Sequence, residues 1–469
     1  METIGLDFEF FDSNEAPMKV IAAVLSLSQG TYKYTFLKSE DLFIFKKTLE
    51  VYKDTHIFLA YAAGAECRAL LSLGVDPLQF KWVDLYAEFI MLCNSNNTYC
   101  YGDYISNSND LRTSFPINPN LTEEEKEQDT IDHMESPKNL INAVYKLLGI
   151  RLDKEEKTVM RDLILSKDLD MITSRMDEIL DYCASDTKYL RELDIAILRA
   201  LEKEGITNVR DDQLDRGRYS VCTGICEHRG LPIDFRLLNK IIEKTPEILN
   251  IHKEEVNGYF SYFVPDYQRP PITRKNGSVF HYKLQPAHKD TNAYQVYIES
   301  LKLENFPQTK TGKYKSDKDT LEEWGYWQGL EALWKYNKME SSLKWFNKEN
   351  GDGFFERVGS DQNVRPFYGI FGTQTGRNAA KAKTFPLAMS SWLRAIISPP
   401  DMYAILAADF SQQEVYVAAI LSGDQNLLQA YLSGDVYLAF AKQANMVPDT
   451  ATKQTHKTER DLCKATVLG

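Results

Sequence analysis

Residues 2–11, ETIGLDFEFF, form an apolar run of strand length that carries two acids, Asp7 and Glu9, two positions apart. On a strand such residues project to the same face. Two carboxylates side by side repel unless a cation lies between them, which suits them to Mg²⁺ or Mn²⁺. Taken alone, the spacing also fits two acids on the wet face of an edge strand.

Two more strand-length runs follow, KVIAAVLSL (19–27) and THIFLAYAA (55–63), and then helical periodicity in GAECRALLSLG (64–74). The alternation predicts an α/β unit. The acidic, Asn-rich stretch from Asn94 to Asp129 reads as a surface loop or insertion. Helical periodicity resumes in SPKNLINAVYKLLGI and runs through MDEILDYCASDTKYLRELDIAILRALEKEG as one long helix, closing a first domain near residue 205. From Asp211 to about Asn350 the pattern is mostly helical. It is broken by the basic, aromatic segment FVPDYQRPPITRKNGSVFHYKLQPAHK, either an exposed loop or a phosphate-contacting arm. MYAILAADFS (402–411) then predicts an apolar strand ending at Asp409, followed by the helical QQEVYVAAILSGD.

At 469 residues with 43% hydrophobic content, the chain has material for several packed cores, and two to four globular units are expected. The net charge of −12 leaves a nucleic-acid partner undecided, because enzymes acting on nucleic acid use local basic patches and metal ions. Seven cysteines without a Cys-x-x-Cys pair fit a reducing compartment. CTGICEH (Cys222, Cys226, His228) lacks the second ligand pair a zinc site needs, so these read as ordinary core thiols. No apolar run of membrane-spanning length occurs, and the N-terminus carries acids where a signal peptide needs a basic region. A soluble, cytoplasmic protein is expected.

DYCASDTKYL places Tyr182 and Asp186 four apart on one helical face. With Asp7-x-Glu9 on a strand, this resembles the DEDD-type 3′–5′ exonuclease domain, whose third motif is Tyr-x-x-x-Asp. FLAYAAGAECRALLSLG looks like the second motif, with Glu66 where most of the family has Asp and Ala62 in place of an accompanying Asn. LINAVYKLLGIRLDKEEK resembles the helix and Lys segment before the third motif. The resemblance implies that Asp7, Glu9 and Asp186 hold one metal, that Glu66 and Asp7 support a second, and that Tyr182 orients the attacking water.

AADFSQQEVYVAAILSGD resembles motif A of the family A (DNA polymerase I-like) polymerases. The likeness implies metal ligation by Asp409 and the Phe410 carbonyl, nucleotide contacts from Gln412 and Gln413, and Glu414 beneath the incoming sugar. FGTQTGRNAAK resembles the Thr-x-Thr-Gly-Arg segment, implying DNA contacts from Thr375 and Arg377. FPQTKTGKYKSDKDTLEEW and ALWKYNKMESSLKWF resemble the thumb, with Lys310 and Lys313 on its DNA side. SGDVYLAFAK looks like the segment after motif A, with Tyr437 in a slot often held by His. SSWLRAIISPP and GDVYLAFAK are most similar to phage-encoded members, which implies the host cytoplasm.

The chain ends HKTERDLCKATVLG, where Arg460, Lys464 and Leu468 recur every fourth residue on one helical face. This resembles the front half of motif B, implying that Arg460 and Lys464 neutralise the triphosphate and that Leu468 lines the nucleotide site. Motif C, the source of the second metal-binding aspartate, is absent from the sequence. The expected fold is therefore an α/β RNase H-like exonuclease domain (1–205), a connection and mainly helical thumb (206–352), an incomplete α+β palm (353–445) and the start of the fingers (446–469). The expected function is the N-terminal subunit of a split polymerase with two Mg²⁺ or Mn²⁺ ions per active site, acting on primer–template DNA and dNTPs and completed by a second polypeptide. A stand-alone 3′–5′ exonuclease with a DNA-gripping remnant is a second reading, and a non-catalytic DNA-binding accessory protein is a third.

Overall fold

The computed structural model describes residues 1–11, 14–37, 39–95, 138–150, 152, 154–260, 272–273, 279–280, 291–346, 354–380 and 385–468. Most of the Asn-rich stretch and nearly all of the basic segment 263–289 lie outside the described residues. Internal contacts divide the chain into two units, Met1–Pro399 and Pro400–Gly469.

The first unit is built on a five-stranded sheet of β1 (Glu2–Phe11), β2 (Lys19–Leu27), β3 (Gly30–Thr35), β4 (His56–Ala60) and β5 (Lys81–Asp84), in the order β3-β2-β1-β4-β5. β1 occupies the middle, antiparallel to β2 and parallel to β4. Its alternation divides the side chains between two layers. Ile4, Leu6 and Phe8 pack with Phe45, Phe58 and Leu70 under helices α1 (Ser39–Tyr52) and α2 (Ala63–Ser72). Phe11 enters a separate core with Ile21, Ile172 and Ile179. Asp7 and Glu9 share the phase of Phe11 and so face that second layer. Each fully buried Leu, Ile or Phe contributes roughly 1.5–3 kcal/mol, and such burial holds a strand in place despite its central acids.

Helices α3 (Leu85–Ser95), α4 (Leu140–Leu148), α5 (Lys154–Leu165), α6 (Leu169–Ser174), α7 (Met176–Thr187) and α8 (Leu190–Lys203) complete these layers. The single long helix expected over 176–205 is two helices, broken at Lys188–Tyr189. Neither Gly nor Pro marks the break, and its cause is packing. Ile179 serves the core beside Phe11, whereas Leu190, Leu193 and Ile197 serve the core behind β4 and α3, and one straight stripe does not reach both.

Helix α9 (Val209–Arg229) lies against α2 and β5. A Cβ at Gly217 would come within 2.1 Å of the Trp82 carbonyl oxygen, and one at Gly224 within 2.7 Å of that of Gly64. The two glycines permit this close approach. Further on, α10 (Phe235–Phe260), α11 (Thr291–Leu301), α12 (Lys318–Glu323) and α13 (Gln328–Leu343) enclose an aromatic-rich core of Phe260, Tyr294, Tyr297, Leu330 and Tyr336.

The second unit contains α14 (Gln413–Ser422), α15 (Gln425–Leu432), α16 (Val436–Gln443) and α17 (Lys457–Leu468) around Val415, Val436, Tyr437, Ala441 and Cys463. The strand expected from Met402 to Asp409 joins no ladder among the described residues, and Leu406 is 91% exposed. A strand is completed by hydrogen bonds to a neighbour, so an apolar run without one is left exposed to water.

Candidate functional site: a carboxylate cluster, an exposed second acid and two basic turns

The acids predicted at the start of the chain converge. Asp7 and Glu9 project from β1 toward α7, and Asp7 Oδ2 accepts a hydrogen bond from Cys183 Sγ at 3.1 Å. One ligand atom each from Asp7, Glu9 and Cys183 lie within 4.8 Å of one another. Tyr182 and Asp186 stand on the same helix and interact, and Lys157 of α5 forms an ion pair with Asp186 while lying 5.9 Å from the Tyr182 ring centroid. Glu66, in the first turn of α2, is 4% exposed and electrostatically coupled to Asp7 and Glu9, and its Oε2 has no hydrogen-bond partner.

Burial and then the neighbouring Asp186 push the Asp7 carboxyl up to about 7, against smaller opposing effects of Cys183 and Lys157. Glu9 is raised by burial and then by Asp7 and Asp186, and Glu66 by burial and then by Asp7 and Glu9. Burial, followed by the charge of Asp7, also raises the Cys183 thiol. This is the electrostatic signature of anions gathered without enough cation among them. The donor set fits a divalent metal: hard oxygens, one of them buried and unpartnered, on rigid elements.

Behind the cluster, Ala62 holds a left-handed conformation (φ 82°, ψ 62°), and its N–H donates to Asp84 Oδ1 at 3.1 Å. Asp84 Oδ1 also accepts from the N–H groups of Tyr86 and Ala87, capping α3. Asp84 thereby fixes the entries to both α2, which carries Glu66, and α3. Farther along α3, the fully buried Glu88 is held by Arg216 through two bonds of 2.7 and 2.8 Å. Burial raises the Glu88 carboxyl even against this guanidinium.

The second predicted centre is differently placed. Asp409 is exposed and Phe410 is 80% exposed, and neither belongs to a carboxylate cluster among the described residues. Gln412, left-handed at φ 49°, caps the turn into α14; its Oε1 accepts the Val436 N–H at 3.0 Å and its Nε2 donates to the Gly434 carbonyl at 3.1 Å. Gln413 and Glu414 open α14 and are exposed. Tyr437 and Arg460 meet: the guanidinium lies 5.3 Å from the ring centroid and Nε donates to Asp435 Oδ2 at 2.6 Å. Arg460 therefore ties α17 to the start of α16. Lys464, one turn on, is exposed, and the side chain of Leu468 lies outside the described residues.

The four DNA-contact candidates fall on two turns of one construction. In T-K-T-G-K (309–313) and T-Q-T-G-R (373–377), the first Thr N–H donates to the carbonyl of the basic residue, at 2.7 and 3.0 Å. The basic residue's N–H returns a bond to that Thr hydroxyl, at 3.2 and 2.8 Å. The glycines sit at φ 76° and 77°. Lys310, Lys313, Thr375 and Arg377 are exposed on these turns. The repeated T-x-T-G-basic pattern was the available sequence signal for this equivalence. Cys183 escaped sequence reasoning because only the fold sets its sulfur beside Asp7.

Residues 289–469 match the model of DNA polymerase family A. That segment, which includes Asp409 and the second turn, is family A DNA polymerase-like. A DNA polymerase I of Chloroflexus aurantiacus is 23% identical over 325 residues, covering 67% of this chain and 32% of that protein. The chain thus spans about a third of the length of this curated relative. The structure of the POL domain of Pol1 from M. smegmatis, in complex with DNA primer-template and dNTP, covers 99% of this chain and 67% of its own, with a TM-score of 0.62 at 16% identity. At that identity the likeness bears on the fold. No helix among the described residues is long and apolar enough to cross a membrane.

Proposed function

We propose that this chain is the exonuclease-bearing part of a phage-type, family A DNA-directed DNA polymerase. The family match over 289–469, which takes in Asp409, carries the polymerase reading. Supporting the 3′–5′ exonuclease reading is the electrostatic influence of Glu66, Tyr182 and Asp186 on and from Asp7 and Glu9 of the central strand of a mixed sheet, in the α/β setting expected of an RNase H-like domain. Asp7, Glu9 and Asp186 would hold Mg²⁺ or Mn²⁺, with Glu66 at the edge of the site; the ions supply charge neutralisation at the scissile phosphate. Lys157, paired with Asp186 here, would be available to a substrate phosphate once Asp186 served a metal. Tyr182 positions water by its hydroxyl and does not itself ionise, because burial and the neighbouring acids raise its pKa.

Nucleotidyl transfer is a different matter, since Asp409 has no carboxylate partner among the described residues. The wet apolar run at 402–410 supports completion by a segment that pairs with it and brings the second aspartate, in this reading from a second polypeptide. In this reading Arg377, Lys310 and Lys313 of the first unit contact primer–template, and Lys464 of the second contacts the dNTP. The exposed, unclustered Asp409 also favours a second reading, in which the chain alone is only a nuclease. Primer extension by mixed chains separates the two: a motif C segment restores extension in the first reading, and Asp409→Ala abolishes it. Extension that survives Asp409→Ala would sink the polymerase assignment.

A further inference from the structure

The carboxylate cluster contains a donor that Mg²⁺ does not favour. Cys183 Sγ is buried, stands 3.1 Å from Asp7 Oδ2 and 3.4 Å from the Asp7 carbonyl oxygen, and lies with Asp7 and Glu9 inside one 4.8 Å group. Oxygen and sulfur donors at about 2.0 and 2.3 Å from one tetrahedral ion lie roughly 3–4 Å apart, which the Asp7–Cys183 pair meets at 3.1 Å, and Glu9 lies within 4.8 Å of both. Glu66 offers independent support: 4% exposed, it carries an unpartnered Oε2 and is electrostatically coupled to both Asp7 and Cys183. The site thus holds a buried acceptor oxygen with nothing to bind.

We propose that Cys183 is a ligand to the ion held by Asp7 and Glu9, so that this site takes thiophilic divalent cations such as Zn²⁺ or Cd²⁺ in preference to Mg²⁺. The inference rests on the reading of Asp7 and Glu9 as metal ligands and adds the sulfur and the selectivity it confers. Soft thiolate selects Zn²⁺ and its congeners, whereas carboxylate and water suit Mg²⁺. On binding, the S–H proton leaves to solvent and one metal–sulfur bond forms, with no change of oxidation state.

The test is a titration of the full chain with Cd²⁺ alone, in the absence of DNA, following the ultraviolet thiolate-to-cadmium charge-transfer band. It is made in a Cys222→Ser/Cys226→Ser background, because those two thiols are exposed. A band is expected that disappears in Cys183→Ser, with Cd²⁺ affinity falling about tenfold or more while Mg²⁺ affinity moves far less, and that needs about tenfold more Cd²⁺ to appear in Glu9→Gln. Cadmium NMR in the same Cys222→Ser/Cys226→Ser background, with Cys183 intact, gives a second reading that does not depend on the Cys183 and Glu9 variants folding: a resonance in the range of mixed sulfur and oxygen ligation is expected. A band unchanged by Cys183→Ser, or a cadmium shift typical of oxygen ligands only, overturns the proposal. Because neither readout needs substrate, those results would leave an Asp7-dependent nuclease standing. Conversely, a sulfur-ligated ion in a chain without nuclease activity would leave Cys183 in place and remove the exonuclease reading.

Discussion

Asp7→Asn is expected to stabilise the metal-free protein at alkaline pH, an unusual outcome for a substitution of a half-buried polar side chain. Burial and Asp186 raise the Asp7 carboxyl from 3.8 to about 7. Between those values the folded state keeps a proton the unfolded state has lost, so stability falls as pH rises through the window and is lowest above about 7. At about 1.4 kcal/mol per pH unit the full rise corresponds to roughly 4 kcal/mol. Asparagine keeps an acceptor for Cys183 but still buries a polar group, so about 2 kcal/mol is expected to return at pH 8 and little at pH 4. Hydrogen exchange of β1 and α7 amides in EDTA, read by mass spectrometry and corrected for intrinsic rates, reports this locally in a multi-unit chain. Mg²⁺ should raise protection in the wild type at pH 8 and do little for Asp7→Asn. Wild-type protection that is higher at pH 8 than at pH 5 in EDTA would refute the repulsion argument, as would loss of protection at pH 8 in the variant.

Arg216→Ala leaves Glu88 buried without its partner and should cost about 3–5 kcal/mol, visible as a lower urea midpoint for the first unit. Ala62→Gly should stabilise by about 0.5–1 kcal/mol, because alanine pays for the left-handed backbone at φ 82° and glycine does not; a loss in thermal melting would contradict this. Gly217→Ala drives a Cβ onto the Trp82 carbonyl at 2.1 Å and should separate α9 from β5, read as increased exchange in both elements. Arg460→Ala should loosen α17 from α16 by about 1–2 kcal/mol through loss of the Asp435 bond, whereas Lys464→Ala, exposed one turn away, should leave that stability unchanged.

How much was legible in the sequence depended on whether the signal was local. The apolar run around Asp7 and Glu9, and the four-residue spacing of Tyr182 and Asp186, fixed strand and helix phase, and phase alone turns each pair to one face. That the two faces meet depends on β1 lying in the middle of the sheet, which no local pattern encodes. The α7–α8 break was hidden because Lys188 and Tyr189 carry no helix-stopping chemistry; competition between two cores creates it. The apolar run at 402–410 has strand composition, yet its pairing depends on a neighbour that no described residue provides. Asp84 was overlooked for a related reason: an acid at a strand end reads as solvated, and only the fold delivers the Ala62, Tyr86 and Ala87 amides to it.

The most direct test of the two-centre account uses one labelled primer–template incubated with the purified chain, Mg²⁺ or Mn²⁺ and dNTPs, resolved by product length. The account predicts shortening from the 3′ end that persists in Asp409→Ala and vanishes in Asp7→Ala, with no extension by this chain alone. Extension of the primer by the chain alone would contradict it, and so would shortening that is unaffected by Asp7→Ala.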